Sequence, residues 1–203
     1  PLKNSKMIYD MAAGLISGES GYKEVCKVME MRPDPPLRQD LPTENAMDAL
    51  YADAAEAIRK FRAVLAGEWQ REGEFIEIPV PETAKPWVDR AIDPGLKGRA
   101  RALEKMENDY GGDPTLLKDI ARVTLEFGSC EKILVALEEL KKAGIEIVSL
   151  KNKYANPTPM GYRDFNLLVK ILLDDGRFHI CELQINLIVM LQAKSDAHVH
   201  YEA

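Results

Sequence analysis

The sequence predicts an α+β protein, a mixed β-sheet flanked by helices, preceded by an N-terminal helical region. Three observations carry that prediction. Apolar residues recur at three- and four-residue steps in the first third of the chain, the period of a helix burying one face. After residue 120 the period becomes two, the mark of strands with one buried side. Between those strands lies a segment with helix start and stop signals, so strands and helices interleave.

The helical region comes first. Short helices are expected around Met7–Leu15 and Tyr22–Met31, and the run Arg32-Pro-Asp-Pro-Pro36 stops the second. A longer helix is expected over 46–69, because Met47, Leu50, Ala54, Ile58, Phe61 and Leu65 form one apolar stripe. Pro79, Pro81, Pro86 and Pro94 mark 79–95 as a linker. The expected organisation is therefore a helical region over 1–78, that linker, and a second domain over 96–203.

The second part opens with a helix from Leu96 to Tyr110, ended by Gly111-Gly112, and Asp113-Pro114 starts another short one. Val123, Leu125 and Phe127 alternate with Arg122, Thr124 and Glu126 as a strand. Ser129 caps the following helix, Glu131 suits its first turn, and Gly144 suits its end. Further strands are expected at Ile145–Leu150, Phe165–Leu173 and Arg177–Leu187, and a helix at Ile188–Tyr201. The hairpin can be registered. A three-residue loop with Gly176 left-handed sets Phe165 against Ile185, Leu167 against Leu183 and Val169 against Cys181. Asp164, Asn166, Glu182, Gln184 and Asn186 then share the opposite face, and no other register sorts polar from apolar so well.

Bulk composition excludes several classes. The chain has 203 residues, 46% apolar and 30% charged, which suits a globular core. A net charge of −6 argues against a general DNA or RNA binder. Three unpaired-looking cysteines, Cys26, Cys130 and Cys181, suggest neither a disulfide framework nor a zinc site, and point to a reducing compartment. No apolar run reaches the ~18 residues of a membrane helix. The start at Pro1 reads as a piece of a longer chain.

Several residues have chemical potential. Lys97, Arg101 and Lys105 stand at i, i+4 and i+8 of the expected helix; they read first as a solvated basic face, and second as a grip for a triphosphate. Asp119 precedes a strand and Glu182 lies within one. Two such carboxylates can share Mg²⁺, while an arginine partner for Glu182 and a helix-end role for Asp119 are the structural alternatives. The loop Lys151–Arg163 is stiffened by Pro157 and Pro159, and its Tyr162 can stack a nucleobase. His179, His198 and His200 have no metal-ligand spacing, and no phosphate-binding glycine loop or nucleophile triad is recognisable.

The stretch Asn156-Pro-Thr-Pro-Met-Gly-Tyr-Arg-Asp-Phe-Asn166 resembles the Asn-Pro-Lys-Pro-Asn-Gly-Tyr-Arg-Ser-Leu-His loop of RelA/SpoT-type alarmone synthetases. Cys181-Glu-Leu-Gln-Ile-Asn186 is similar to their Glu-(Val/Ile)-Gln-Ile-Arg strand, and Asp119-Ile-Ala-Arg-Val-Thr124 to their Asp-Leu-Val-Gly-Val-Arg. Ala197-His198 with Tyr201 resembles an Ala-His-x-x-Tyr ending. The motifs occur in family order across about half the chain. The resemblance implies a nucleotidyltransferase-like sheet and a Mg²⁺-dependent transfer of pyrophosphate from ATP to the 3′-hydroxyl of a nucleotide or a tRNA 3′ end. It makes Asp119 and Glu182 the catalytic, metal-binding pair, with Glu182 also deprotonating the attacking hydroxyl. Lys97, Arg101 and Lys105 would hold ATP phosphates, and Tyr162 would stack the acceptor base. Arg122, Lys151, Lys153, Arg163, Asn166, Gln184 and His198 complete the implied nucleotide contacts.

The departures from the family pattern within the 153–166 loop fall on the acceptor side, and one more lies on the strand at 122–124. Thr158, Met160 and Asn166 stand for Lys, Asn and His, Lys153 for a Tyr, and Thr124 for an Arg that reappears at Arg122. They predict that adenine nucleotides or an RNA 3′ end, as in relatives that are toxins or effectors, are accepted at least as well as GDP or GTP. Action in a cytoplasm, by a toxin or effector domain of a longer chain, follows, with an immunity protein, an antitoxin or a host protein as partner. The competing readings are an inactive nucleotide- or protein-binding domain of this fold, and a different nucleotidyltransferase.

Overall fold

The computed structural model describes residues 2–64, 67–71, 74–78 and 88–199. A seven-stranded mixed sheet forms its centre, in the order β2-β1-β3-β4-β7-β6-β5. The strands are β1 (Gly67–Arg71), β2 (Glu74–Ile78), β3 (Arg90–Asp93), β4 (Arg122–Phe127), β5 (Glu146–Asn152), β6 (Phe165–Leu172) and β7 (Phe178–Leu187). The helices are α1 (Leu2–Ser17), α2 (Tyr22–Lys27), α3 (Ala46–Val64), α4 (Arg99–Tyr110), α5 (Cys130–Lys142) and α6 (Ile188–Val199).

The centre of the sheet is what places the site. β4 and β7 pair in parallel, so Arg122 lies beside Glu182 and Thr124 beside Gln184. β7 and β6 pair antiparallel in the expected register, with Phe165 against Ile185, Leu167 against Leu183 and Val169 against Cys181. The Leu173 N–H donates to the Arg177 carbonyl at 2.8 Å across the turn, where Gly176 has φ +86°. That left-handed position is open to glycine without the Cβ clash other residues meet. β5 completes the array against β6, with a bulge between Ile147 and Ser149. Two rows of side chains therefore run across one face: Arg122, Glu182, Leu168, Ser149, and next to it Thr124, Gln184, Asn166, Lys151.

The other face is apolar. Val123, Leu125, Phe127, Phe165, Leu167, Val169, Leu183 and Ile185 are buried with Ile133, Ala136 and Leu140 of α5. Ser129 caps α5 by accepting from the Lys132 N–H at 3.3 Å, and Gly144 follows its end with φ +78°. Tyr9 and Ile16 of α1, Val25 of α2 and Leu50, Ala54 and Phe61 of α3 join the same apolar cluster. α1 packs along α6, where the Ser5 hydroxyl donates to the Ala197 carbonyl at 3.4 Å.

Three expectations need correction. The helix expected over 46–69 ends at Val64, and β1 begins at Gly67, because pairing with β3 claims that backbone. The stretch 79–95 contains β3 at its C-terminal end, paired with β4, while residues 79–87 lie outside the described residues. The helix expected from Leu96 starts at Arg99, with Gly98 in extended geometry as its N-cap. His200 and Tyr201 lie outside the described residues.

Candidate functional site

Five members of the two rows form the floor of a cleft of about 410 Å³. Ser149, Lys151, Asn166, Leu168 and Glu182 come from the sheet, and Lys105 and Tyr110 from α4. Lys118 and Asp119 enter from the segment before β4, where a 3-10 turn at Pro114–Leu116 reverses the chain. Asp113 caps that turn, accepting from the Thr115 N–H at 2.9 Å. The Glu182 N–H donates to the Ala121 carbonyl at 2.9 Å, and this backbone bond sets the Asp119 segment beside Glu182.

The carboxylates have contrasting surroundings. Asp119 Oδ2 accepts from Lys97 Nζ at 2.6 Å and from Lys105 Nζ at 2.9 Å. Its Oδ1 is buried with no hydrogen-bond partner among the described residues. Burial pushes the Asp119 carboxyl pKa up, but the hydrogen bonds and charges of the two lysines outweigh it and hold the group below the usual range, ionised at neutral pH. Glu182 Oε1 accepts from Asn166 Nδ2 at 2.7 Å and from Gln184 Nε2 at 3.4 Å, which fixes the carboxylate over the sheet.

The cations outnumber the carboxylates. Arg32, Lys105, Lys118 and Lys151 line the cleft against Asp119 and Glu182, so four positive charges face two negative ones. Burial, and then the charges of Lys105, Lys151 and Arg38, lower the Lys118 pKa. Ammonium groups crowded in this way repel one another until an anion lies among them. Such a cleft suits a polyphosphate.

A cation of the Mg²⁺ type fits the carboxylates. Mg²⁺ is usually held by one or two carboxylates with phosphates and water, so a dedicated cage is not needed. Among the described residues no group of three or more His, Cys, Asp or Glu could hold a metal. The buried, unpartnered Oδ1 of Asp119 supplies one hard oxygen within the cleft, and Glu182 supplies the second carboxylate.

The row Lys97, Arg101, Lys105 does not persist as one helical face. Lys97 precedes α4, with its N–H bonded to the Ile120 carbonyl at 3.0 Å, and reaches Asp119 from the loop. Lys105 reaches it from the helix, and Arg101 is exposed. Arg122 is half-buried beside Glu182, and its Nε has no hydrogen-bond partner among the described residues.

Of the remaining sequence candidates, Tyr162 and His198 line a second cavity of about 280 Å³, together with Ser5, Tyr9, Thr158, Met160, Lys194 and Ala197. The Tyr162 hydroxyl donates to Asn186 Oδ1 at 2.5 Å, and Gly161 before it has φ +96°. The Tyr9 ring meets Tyr162 edge-on at 5.8 Å, while Lys194 Nζ and Lys153 Nζ lie 5.4 Å and 5.9 Å from its centroid. Lys153 also pairs with Asp164 at 3.4 Å, and burial raises the Asp164 pKa. Arg163 turns back, donating from Nη1 to the Gly161 carbonyl at 2.6 Å. The structure thus brings Lys105, Asp119, Lys151, Asn166 and Glu182 together in the charged cleft and Tyr162 and His198 in the aromatic cavity, while Lys97, Arg101, Arg122, Lys153, Arg163 and Gln184 line neither.

Sequence reasoning missed Arg32, Tyr110, Lys118 and Ser149. Lys118 adjoins the recognised Asp119, and that adjacency was its only signal. Arg32 sits in a proline-rich stretch whose role depends on where it crosses the sheet.

No family model matches the chain. Over 71 residues, 35% of this chain, it is 37% identical to the (p)ppApp synthetase toxin Tas1 of Pseudomonas aeruginosa (strain UCBPP-PA14), a match spanning 15% of that protein's length. The small alarmone synthetase 2 of Bacillus subtilis superposes with a TM-score of 0.56 at 19% identity, covering 78% of this chain and 82% of that one. The type VI effector Tas1, in complex with its immunity protein, superposes with a TM-score of 0.48 at 25% identity, over 71% of this chain and 62% of that chain. No described helix is long and apolar enough to cross a membrane.

Proposed function

We propose that this chain, which has the RelA/SpoT-like pyrophosphokinase fold, transfers pyrophosphate from ATP to the 3′-hydroxyl of an adenine nucleotide. One observation carries the reading: Asp119 and Glu182 share a cleft in which cations outnumber them. That is the charge pattern of a phosphoryl-transfer site, where positioning and charge neutralisation do most of the catalysis.

In this reading the donor phosphates lie among Lys105, Lys118, Lys151 and the loop Lys97. Asp119 and Glu182 would hold Mg²⁺, which when bound would supply charge neutralisation on those phosphates. Asn166 and Gln184 orient Glu182, whose carboxylate takes the proton of the attacking hydroxyl. The hydroxyl oxygen bonds to the β-phosphorus of ATP, the α–β bridge breaks, and AMP leaves. Tyr162 and Met160 receive the acceptor base in the aromatic cavity. Met160 offers polarisable apolar surface where the family pattern has a hydrogen-bonding Asn, so the cavity has less polar readout for guanine. The likeness to a (p)ppApp synthetase toxin supports adenine over guanine. The likeness to a toxin fits action in a cytoplasm, and an immunity protein or antitoxin is the protein partner such a role calls for.

The test is product formation from ATP with AMP, ADP, ATP, GDP, GTP or tRNA as acceptor, read by mass spectrometry. Pyrophosphorylated adenine nucleotides are expected to dominate, and a strong preference for GDP or GTP, or for tRNA, would refute the acceptor assignment. Glu182→Gln and Asp119→Asn should each lower the rate roughly a thousandfold while leaving the fold intact. Full activity in either variant, with unchanged Mg²⁺ dependence, would overturn the roles of the pair.

A further inference from the structure

We propose that the proline-rich segment 32–37 is an arch that closes the nucleotide cleft, and that Arg32 and Lys118 are phosphate-binding residues acting with it. The proposal rests on the reading of the cleft as the donor site.

Both feet of the arch are built into the sheet. At the first foot Met31 and Leu150 exchange backbone hydrogen bonds, each of 3.0 Å, on the outer edge of β5. Asn152 secures that foot, its Nδ2 donating to the carbonyls of Val25 at 2.9 Å and Val28 at 3.0 Å, and its N–H to Glu30 Oε1 at 3.0 Å. At the second foot the side chain of Gln39 is buried. Its Oε1 accepts from the Ile180 N–H at 2.9 Å, and its Nε2 donates to the carbonyls of Ile180 at 2.8 Å and Leu117 at 3.1 Å. One foot stands on β5 and the other on β7, so the span crosses β6, where Leu168 lies in the cleft floor.

The composition of the span suits a fixed wall. Pro33, Pro35 and Pro36 lock their backbone angles and present no N–H. A stiff span loses little entropy when a ligand arrives beneath it. Pro33, Pro36 and Leu37 line the cleft with apolar surface, and Arg32 adds a cation at its rim.

Two side chains connect the span to the charged end. Lys118 Nζ donates to the Leu37 carbonyl at 3.1 Å, which ties the arch to the residue preceding Asp119. Arg32 rests on Glu30, with Nη2 2.7 Å from Oε2, and its side chain is 73% exposed. An ion pair so exposed contributes little and exchanges readily. A phosphate offers the same guanidinium a bidentate, charge-assisted partner. Neither residue belongs to the recognised motifs.

Calorimetric titration of the full chain with Mg²⁺-ATP and with AMP tests this. Arg32→Ala and Lys118→Met should each weaken ATP binding about tenfold and reduce its salt dependence, and leave AMP affinity within about twofold. Arg32→Lys should restore most of the loss. Equal losses on ATP and AMP would mark a merely structural part and overturn the proposal. So would unchanged ATP affinity in both variants when the wild-type chain binds ATP. If the wild-type chain binds no Mg²⁺-ATP, the donor-site reading falls and takes the arch's role with it.

Discussion

At the scale of single residues, some of the protein's polar groups face the cleft and a few others are buried in the core. His179 is one of the latter, 1% exposed, with its Nε2 unpartnered among the described residues. Burial, partly offset by Asp53 and reinforced by Arg177, lowers its pKa to about 4. The folded state therefore keeps the imidazole neutral, whereas the unfolded chain protonates it near pH 6.5. Its contribution to stability is complete above pH 6.5 and declines as pH falls towards 4, by up to about 3 kcal/mol. Denaturant titrations at pH 7.5, 5.5 and 4.5 should show the wild-type chain losing stability more steeply than His179→Gln. Asp164, whose raised pKa acts in the opposite direction, is common to both and cancels in the difference. Parallel slopes for the two proteins would refute the account.

At the scale of elements, the β6–β7 hairpin is the piece whose geometry reaches furthest into the site. Its register sets Asn166 against Gln184 and Leu168 against Glu182, so the hydrogen bond from Asn166 to Glu182 depends on it. The register in turn depends on Gly176 at φ +86°. A Cβ there would meet nothing within 4 Å, so the cost of Gly176→Ala is conformational. Thermal or denaturant unfolding should show a loss of about 1–2 kcal/mol, with activity per folded molecule retained. A selective loss of activity at unchanged stability would mean that the loop itself meets substrate. The hairpin was legible in the sequence, since a local turn and alternating polarity suffice to register two adjacent strands. α4 was legible only in outline: Gly98 ends the helical backbone one residue past Lys97, so the expected row of three cations on a single helix splits into a loop lysine, a helix lysine and an exposed arginine.

At the scale of the whole molecule, the N-terminal residues share the core and the cleft with the residues that follow. Tyr9, Ile16 and Val25 lie in the common apolar cluster, and Gln39 joins the arch to two carbonyls and an N–H of the sheet side. Gln39→Ala would leave buried backbone groups of Ile180 and Leu117 unpaired. A destabilisation of about 1–3 kcal/mol is expected. Limited proteolysis should cut between residues 28 and 41 before the rest of the chain, because the foot opens below the global unfolding threshold. Unchanged protection of that segment would show that the Asn152 foot alone suffices. The chain also combines a net charge of −6 with a locally cationic cleft, so its partner class follows from the local field rather than from the total charge.

By itself the sequence determined what depends on near neighbours: the strand periods, the cap and end of α5, the hairpin register, and the motifs by which Asp119, Glu182 and Tyr162 resemble a known family. Alternation and capping are written within a few residues, so they survive reading in one dimension. The tertiary structure alone decided that β4 and β7 pair in parallel and bring the Asp119 segment beside Glu182. It also decided that α1 supplies Tyr9 to the Tyr162 cavity, and that a proline-rich stretch bridges β5 to β7 over Leu168. Those arrangements join positions far apart in the chain. Their stabilisation comes from burial and from backbone hydrogen bonds that leave no periodic trace in the order of residues.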